Sequence, residues 1–415
     1  MTGVVRTACP PAGSSLLYPP DNLRREAKQA VIVAVPKEIT PGERRVALVP
    51  EAVKALASDA IEIVVEAGAG IAAGFLDAAY EAVGASLEPD AAALLGRADV
   101  VLKVQPPCER ADGSHEVDSL QSGVALIGFM KPLDLPELAK RLADRNVTTF
   151  SIELMPRITR AQSMDALSSM STIAGYRAVL LGAAALPKIF PMLVTAAGTI
   201  QPARVLIIGA GVAGLQAIAT ARRLGAVVEA YDTRAAVKEQ IESLGARFVE
   251  LDLDTGDSED SGGYAKAQSE EFYERQREQL GKRVSASDVV ITTALVPGQP
   301  APFLINEAAV KAMRPGSVIV DLAAEKGGNC ELTTPDATTV VHDVTLIGST
   351  NLPSEIPANA SQMYAKNLTT FMKHLAPEGA LVLDLEDEIT SGAMLTHAGK
   401  IVNEAVRTRA EGGGN

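Results

Sequence analysis

Six residues in the middle of the chain, Gly209-Ala210-Gly211-Val212-Ala213-Gly214, carry the spacing G-x-G-x-x-G. In that spacing the first glycine permits a tight turn. The second lets backbone approach a pyrophosphate, and the third lets a helix pack on a strand. The flanks agree: Val205–Ile208 is an apolar run suited to a buried parallel strand, and Leu215–Leu224 has helical character. Val227–Ala230 is a second strand, ending at Tyr231-Asp232. A helix beginning at the glycines offers N–H groups and a partial positive charge to phosphates. Asp232 stands 18 residues beyond Gly214, where a carboxylate holds the adenosine ribose hydroxyls and repels a 2′-phosphate. NAD(H) is thereby favoured over NADP(H), a preference that nearby Arg234 tempers. The competing reading is a glycine-rich turn without a ligand.

A second polar constellation lies in Met155-Pro156-Arg157-Ile158-Thr159-Arg160-Ala161-Gln162-Ser163-Met164-Asp165-Ala166-Leu167-Ser168. Within it Arg157, Gln162, Asp165 and Ser168 offer a guanidinium, a carboxamide, a carboxylate and a hydroxyl at an expected domain boundary, a common place for a cofactor cleft. Gln162 can donate to a nicotinamide amide or a ribose hydroxyl, and Asp165 can accept. Alternatively the segment caps the following helix, with Asp165 or Ser163 as the N-cap.

An amino-acid dehydrogenase needs cations for a substrate carboxylate. It also needs an acid/base, because a proton leaves nitrogen as hydride leaves carbon. Arg44, Arg45 and Lys103 are candidate cations, with surface or salt-bridged side chains as the plain alternative. Of four histidines only His115 falls in the first third of the chain, inside the polar loop ERADGSHEVDS. Hydride passing directly between two nicotinamide rings needs position and dryness rather than an acid/base pair, and the scarcity of histidine fits that chemistry.

These groups need a scaffold. At 415 residues the chain exceeds one ordinary core, so two domains are expected. The first 30 residues read as a disordered extension. Ala30–Val35, Ile61–Val65, Val100–Val104, Val124–Phe129 and Val147–Ile152 read as strands, and Val49–Ala57 and Leu135–Arg145 as helices. Strands alternating with helices give an α/β fold with a doubly wound parallel sheet. Ser168–Leu186 reads as a long linking helix. After Asp232, Arg234–Leu244 reads as helix, and Arg247–Leu251, Asp288–Leu295, Ser317–Leu322 and Val340–Ile347 each as one strand. The expected division is residues 31–160 plus 355–407 for one Rossmann-like domain and 161–354 for the dinucleotide domain, with the cofactor cleft between them. Ile356–His374 is a returning helix, and the residues after Arg407 a tail. Between Leu251 and Ser287 lies an acidic stretch and then a charged helix candidate, Ala265–Lys282. Over about 252–287 this reads as a mobile flap or a solvated loop.

Composition narrows the function further. A formal charge of −13 argues against nonspecific nucleic-acid binding. The three cysteines lie far apart, and the histidines form no metal-binding pair, so neither a disulfide framework nor a zinc site is expected. No uninterrupted apolar run has the length of a membrane span.

Longer stretches add a resemblance. PRITRAQSMDALSSMSTIAGYRAV from Pro156, FPMLVTAAGTIQPARVLIIGAGVAGLQAIATARRLGA from Phe190, GGYAK from Gly262, DVVITTALVPG from Asp288 and GSVIVDLAAEKGGNCELT from Gly316 resemble the NAD(H)-binding domain I of proton-translocating NAD(P) transhydrogenases, in the form where it is a separate alpha-1 subunit. The architecture is shared with alanine dehydrogenases, whose N-terminal domain Pro36-Lys37-Glu38, Arg45-Val46-Ala47-Leu48 and Leu102-Lys103-Val104 resemble. Where those enzymes carry a catalytic histidine after an apolar strand, this chain has Lys131. The resemblance implies a Gln162 that positions the nicotinamide without acid/base chemistry, in a loop with Arg157, Ile158, Thr159, Ser163, Met164, Asp165 and Ser168. It implies a pyrophosphate turn at Gly209, Ala210, Gly211, Val212 and Gly214, with Arg204 at the head of the strand. Asp232, Thr233 and Arg234 fall on the adenosine side, Gly263 and Tyr264 on a closing loop, and Ala294 and Leu295 at a strand end beside the cofactor. It further implies NAD(H) on this chain and NADP(H) on a partner, a homodimer, a membrane alpha-2 subunit and a beta subunit. The location implied is cytoplasmic, peripheral on the inner face of the plasma membrane through those partners. The alternatives are an alanine dehydrogenase-like enzyme using Lys103 and Arg45, and a noncatalytic NAD-sensing module.

Overall fold

The computed structural model describes residues 30–58, 60–252, 269–296 and 298–412. The N-terminal extension, the acidic stretch over 253–263, Gly263 and Tyr264 lie outside the described residues.

Two sheets organise the chain. In the first, β1 (Val31–Val35), β2 (Ile61–Glu66), β3 (Ser86–Glu88), β4 (Val100–Leu102), β5 (Ala125–Gly128) and β6 (Thr148–Ser151) run parallel in the order β3-β2-β1-β4-β5-β6. Helices α1 (Pro50–Leu56), α2 (Asp77–Glu81), α3 (Ala91–Arg97) and α4 (Pro136–Asp144) make the crossovers. Helix α5 (Ala166–Ala185) then leads to a two-stranded hairpin, β7 (Leu193–Thr195) and β8 (Gly198–Ile200), whose residues are all exposed.

The second sheet repeats the order. β9 (Arg204–Ile208), β10 (Val227–Tyr231), β11 (Arg247–Phe248), β12 (Val289–Thr292) and β13 (Val318–Asp321) are followed by a hairpin of β14 (Thr338–Val341) and β15 (Val344–Ile347). The six parallel strands lie as β11-β10-β9-β12-β13-β15, with β14 antiparallel at the edge. Its helices are α6 (Val212–Arg223), α7 (Lys238–Ser243), α8 (Glu270–Ser285) and α9 (Glu307–Lys311). The chain then returns through α10 (Pro357–Leu375) and α11 (Glu388–Ala393). It adds β16 (Met394–His397) antiparallel to β6, then β17 (Lys400–Ile401), to the first sheet, and ends in α12 (Glu404–Glu411).

Strands covered on both faces must be apolar throughout, and alternate residues supply opposite cores. In β1, Val33 and Val35 enter one core and Ala34 the other. In β9, Val205 and Ile207 face one side, Leu206 and Ile208 the other. Helix α5 belongs to both halves: Ala166, Met170 and Ile173 pack in the first, Ala178 and Val179 in the second. At Gly175 a Cβ would fall 2.0 Å from the Ala213 carbonyl, so α5 rests its backbone directly on α6.

Several expectations need correction. Val340–Ile347 is not one strand. His342 and Asp343 take positive φ (51° and 59°) and turn it into a hairpin, which suits Asp and His better than branched residues. Arg247–Leu251 pairs only over two residues. Arg234–Leu244 divides into a 3-10 turn and α7. The tail after Arg407 is helical to Glu411, capped at its start by Asn403, whose side chain accepts from Val406 N–H. The charged helix expected over Ala265–Lys282 is present as α8, at residues 270–285, but its Gln276, Leu280 and Val284 are buried, so this part of the stretch read as a flap or solvated loop packs on the domain. Short elements between Asp77 and Arg97, and β16 and β17, carried too little periodicity to be foreseen.

Candidate functional site

In a sheet ordered 3-2-1-4-5-6, the connections leave the two central strands in opposite directions and open a crevice at their carboxyl ends. The molecule has two such crevices, between β9 and β12 and between β1 and β4.

The β9–β12 crevice holds the glycine turn. Gly209 donates from N–H to the Tyr231 carbonyl at 2.8 Å and takes φ +98°. A Cβ on Gly214 would lie 1.9 Å from the Gly209 carbonyl oxygen, so this residue sets how closely α6 meets the turn. Gly211 differs: its Cβ would meet nothing within 4 Å. Gly211 and Val212 are exposed, and no side chain caps α6. The first-turn N–H groups that every helix leaves without an intrahelical partner therefore face an open cradle, which fits a pyrophosphate.

Asp232 is buried beside the turn. Its Oδ2 accepts from Ala210 N–H at 2.7 Å, and its Oδ1 from Arg234 N–H at 2.9 Å. The Arg234 guanidinium donates to both oxygens at 2.9 Å. The acid thus ties the turn to the end of β10 while Arg234 offsets its charge; Thr233 lies between them, half-buried. A carboxylate has about four acceptor positions, so a ribose hydroxyl at Asp232 would take the place of one of these contacts.

Opposite, Thr293 Oγ1 donates to the Gly209 carbonyl at 3.1 Å. Ala294 is half-buried and Leu295 exposed. Asn329, fully buried, holds this strand end. Its Oδ1 accepts from Ala294 N–H at 3.1 Å, and its Nδ2 donates to the Ala294 and Pro302 carbonyls at 2.9 and 2.8 Å. Asn329 N–H in turn donates to Asp321 at 2.8 Å, and Asp321 also accepts from Thr292, Ala323, Cys330 and Thr333. Reading by motif missed Thr293, Asp321 and Asn329. The available signal was an acid closing an apolar strand, followed by Gly327-Gly328-Asn329.

The second constellation forms a 3-10 turn, Thr159–Met164, leading into α5. Arg157, Thr159, Gln162 and Ser163 are exposed, Ile158 is half-buried, and Met164 packs in the core. Asp165 is the N-cap of α5: its oxygens accept from Ser168 N–H at 2.9 Å and Ser168 Oγ at 2.6 Å. The capping role falls to Asp165 and not to Ser163, and it leaves Gln162 presented outward. Seven residues, ~10 Å of helix, separate Ser168 from the Gly175 contact on α6, so α5 fixes this turn relative to the glycine loop. Arg204 is not brought to either group. It begins β9, ~16 Å of strand from the glycine turn, with its guanidinium 4.0 Å from Glu229.

The β1–β4 crevice is filled with charge. Lys103, at 2% exposure, lies 3.4 Å from Glu38 and 2.9 Å from Glu116. Arg45, at 4%, forms a fork on Glu43 at 2.8 and 2.6 Å. Gln105 and Asn351 donate to the same Glu43 oxygen at 2.8 and 3.0 Å. Tyr364 Oη donates to the Lys103 carbonyl at 2.7 Å. Burial pushes Glu43 up, but the Arg45 fork and charge and the Gln105 amide outweigh it and hold it at about 2. Burial dominates at Glu38 and raises it despite Lys103. Burial lowers Lys103, and Glu38 and Glu116 more than reverse that. Two of the three candidate substrate cations, Arg45 and Lys103, are thus taken by the chain's own carboxylates. Arg44, the third, has its N–H on Ser354.

The rims of the two halves also meet. Lys131 is ion-paired with Glu325, and Lys326 with Asp134. Lys131 holds φ +48° with its N–H on Glu153 at 2.8 Å. The position where a histidine would serve an amino-acid dehydrogenase is a lysine reaching across to the other half.

Residues 34–174 match the family described as alanine dehydrogenase/PNT, N-terminal domain, and residues 178–404 match alanine dehydrogenase/PNT, C-terminal domain. An NAD(P) transhydrogenase alpha-subunit polypeptide of Rhodospirillum rubrum is 50% identical over 377 residues, covering 90% of this chain and 98% of that protein. Alanine dehydrogenase of Bacillus subtilis is 30% identical over 386 residues, covering 91% and 94%. The crystal structure of a transhydrogenase from Sinorhizobium meliloti superimposes with a TM-score of 0.79 at 44% identity, covering 89% of this chain and 99% of that one.

Proposed function

The chain belongs to the alanine dehydrogenase/PNT family, and within it we propose that it is the NAD(H)-binding subunit of a proton-translocating transhydrogenase. The observation that carries this reading is the contrast between the crevices: the nucleotide crevice is open at Gly211, while Arg45 and Lys103, two cations an amino acid's carboxylate would need, are neutralised by Glu43, Glu38 and Glu116. When bound, NAD(H) supplies or accepts a hydride at its nicotinamide ring. The chain's role is to hold it. The α6 N-terminus and Gly211 take the pyrophosphate, and Asp232, Thr233 and Arg234 the adenosine side. The turn bearing Arg157, Gln162 and Ser163 orients the other end at an exposed rim. No group that titrates near neutrality is required there, because hydride passes between rings without a substrate proton.

The hydride partner is NADP(H) held by a beta subunit, and an alpha-2 subunit and the membrane portion of beta carry the protons. No described helix is long and apolar enough to cross a membrane, so attachment to the inner face of the plasma membrane would come through those partners. A homodimer is supported by the β7–β8 hairpin, which leaves Met192, Leu193, Val194 and Ile200 42–76% exposed, an apolar surface of the kind that association covers. The reading is tested by mixing the chain with an NADP(H)-binding partner domain and following nicotinamide-to-nicotinamide hydride exchange. Exchange without L-alanine oxidation is the expected outcome, and alanine-dependent NAD reduction by the chain alone would overturn it.

A further inference from the structure

A six-residue 3-10 run is unusual, because the i→i+3 geometry is poor and such runs seldom exceed three or four residues. Thr159–Met164 therefore depends on outside support. Its apolar face supplies some: Ala161 and Met164 pack in the first core. Helix α10 supplies the rest from one face. Two turns apart on it, Asn367 Nδ2 donates to the Ser163 carbonyl at 2.9 Å, and His374 lies 2.9 Å from Asp387, which pairs with Arg160 at 3.3 Å.

Asn367 is the odd member of that face. It is 7% exposed among Tyr364, Leu368 and Phe371, all fully buried. Its Oδ1 is buried without a hydrogen-bond partner among the described residues. A buried acceptor left unmatched is costly, and an apolar side chain would fill the space without that cost. The amide gives what an apolar chain cannot, a donor to the backbone between Gln162 and Met164.

We propose that Asn367 is a positioning residue for hydride transfer, fixing the Ser163 carbonyl and through it the orientation of Gln162. This rests on the reading of Gln162 given above. In the full chain mixed with the NADP(H)-binding partner, Asn367→Leu lowers the hydride-exchange rate ~tenfold, as misplacement in near-attack geometry does, with NADH affinity held within about twofold. Asn367→Asp gives a second signature. A protonated carboxyl can donate to the Ser163 carbonyl and a carboxylate cannot, so its rate recovers toward wild type as pH falls, on a profile the wild type lacks. A wild-type rate in Asn367→Leu, parallel loss of rate, affinity and Tm, or an Asp variant tracking the wild-type pH profile overturns the proposal. Gln162→Asn run alongside separates the two readings. If it is slow while Asn367→Leu is not, Asn367 has no positioning role. If it is at full rate while Asn367→Leu is slow, it is the role of Gln162 that falls.

Discussion

The two halves stack six parallel strands in one order, yet their crevices have opposite contents. Between β9 and β12 the sequence places glycines, a helix start without a side-chain cap and one partly neutralised acid. Between β1 and β4 it places Glu38, Glu43, Arg45, Lys103 and Glu116, which pair with one another. Topology opens a cavity at each strand-order reversal, and side chains decide whether it accepts a ligand or closes on itself. The alanine dehydrogenases in the family show that the architecture also serves a small-molecule enzyme. In this chain Arg45 and Lys103 are paired with the chain's own buried carboxylates.

The largest effect should come from the closed crevice. Glu43→Ala leaves a buried Arg45 without its fork and should destabilise the chain by ~3–5 kcal/mol, read as a lowered denaturation midpoint, while NADH affinity of the folded fraction stays put. A comparable loss of NADH affinity would break the contrast, because it would make the first crevice a portion of the nucleotide site.

Acid probes the same pair. Glu43 sits near 2 when folded against ~4.3 unfolded. Its contribution, on the order of 3 kcal/mol, is complete above the unfolded value and disappears as pH falls through the folded one. Glu38, raised by burial, has the opposite sign: its contribution is present at low pH and lost as pH rises. Glu43→Gln should therefore flatten the acid limb of the stability curve between ~4 and ~2. An unchanged limb would mean the fork is not the acid-sensitive contact.

In the open crevice, Gly214→Val forces α6 away from the Gly209 carbonyl. It should cost ~1–3 kcal/mol by overpacking and abolish measurable NADH binding in titration. Retained binding would separate the turn from the cofactor. The smallest effect is expected of Asp232→Ala, about tenfold weaker NADH binding with a narrowed preference against NADPH, since Arg234 loses its counter-charge. An unaltered NADH-to-NADPH ratio would show that Asp232 serves only to tie Ala210 to the turn.

Much of this was legible before folding was considered. The glycine spacing, β9, α6 and β10 stand within a few residues of their expected bounds, because period and punctuation are local properties of the chain. So was the doubly wound α/β class. The hairpin at His342-Asp343 was not: the polar pair interrupts the apolar run, but it is not the Asn-Gly or Gly-x pair that marks a two-residue turn. Thr293 and Asn367 were missed because their partners lie 84 and 204 residues away along the chain; Asp321 and Asn329 also bond to near neighbours, but their contacts to Thr292 and Ala294 span 29 and 35 residues. Arg204, which the resemblance implies for the site, begins β9, and strand direction places it at the end far from the glycine turn.

The amino-acid order alone determined the dinucleotide-type glycine turn and how strands alternate with helices around it, because turns, caps and apolar periods act over a few residues. Only the tertiary structure decided that Arg45 and Lys103 are consumed by buried carboxylates, and that α10 holds the Gln162 turn. Charge pairing and long-range hydrogen bonds depend on which distant side chains the fold brings within ~3 Å, and no local pattern encodes that.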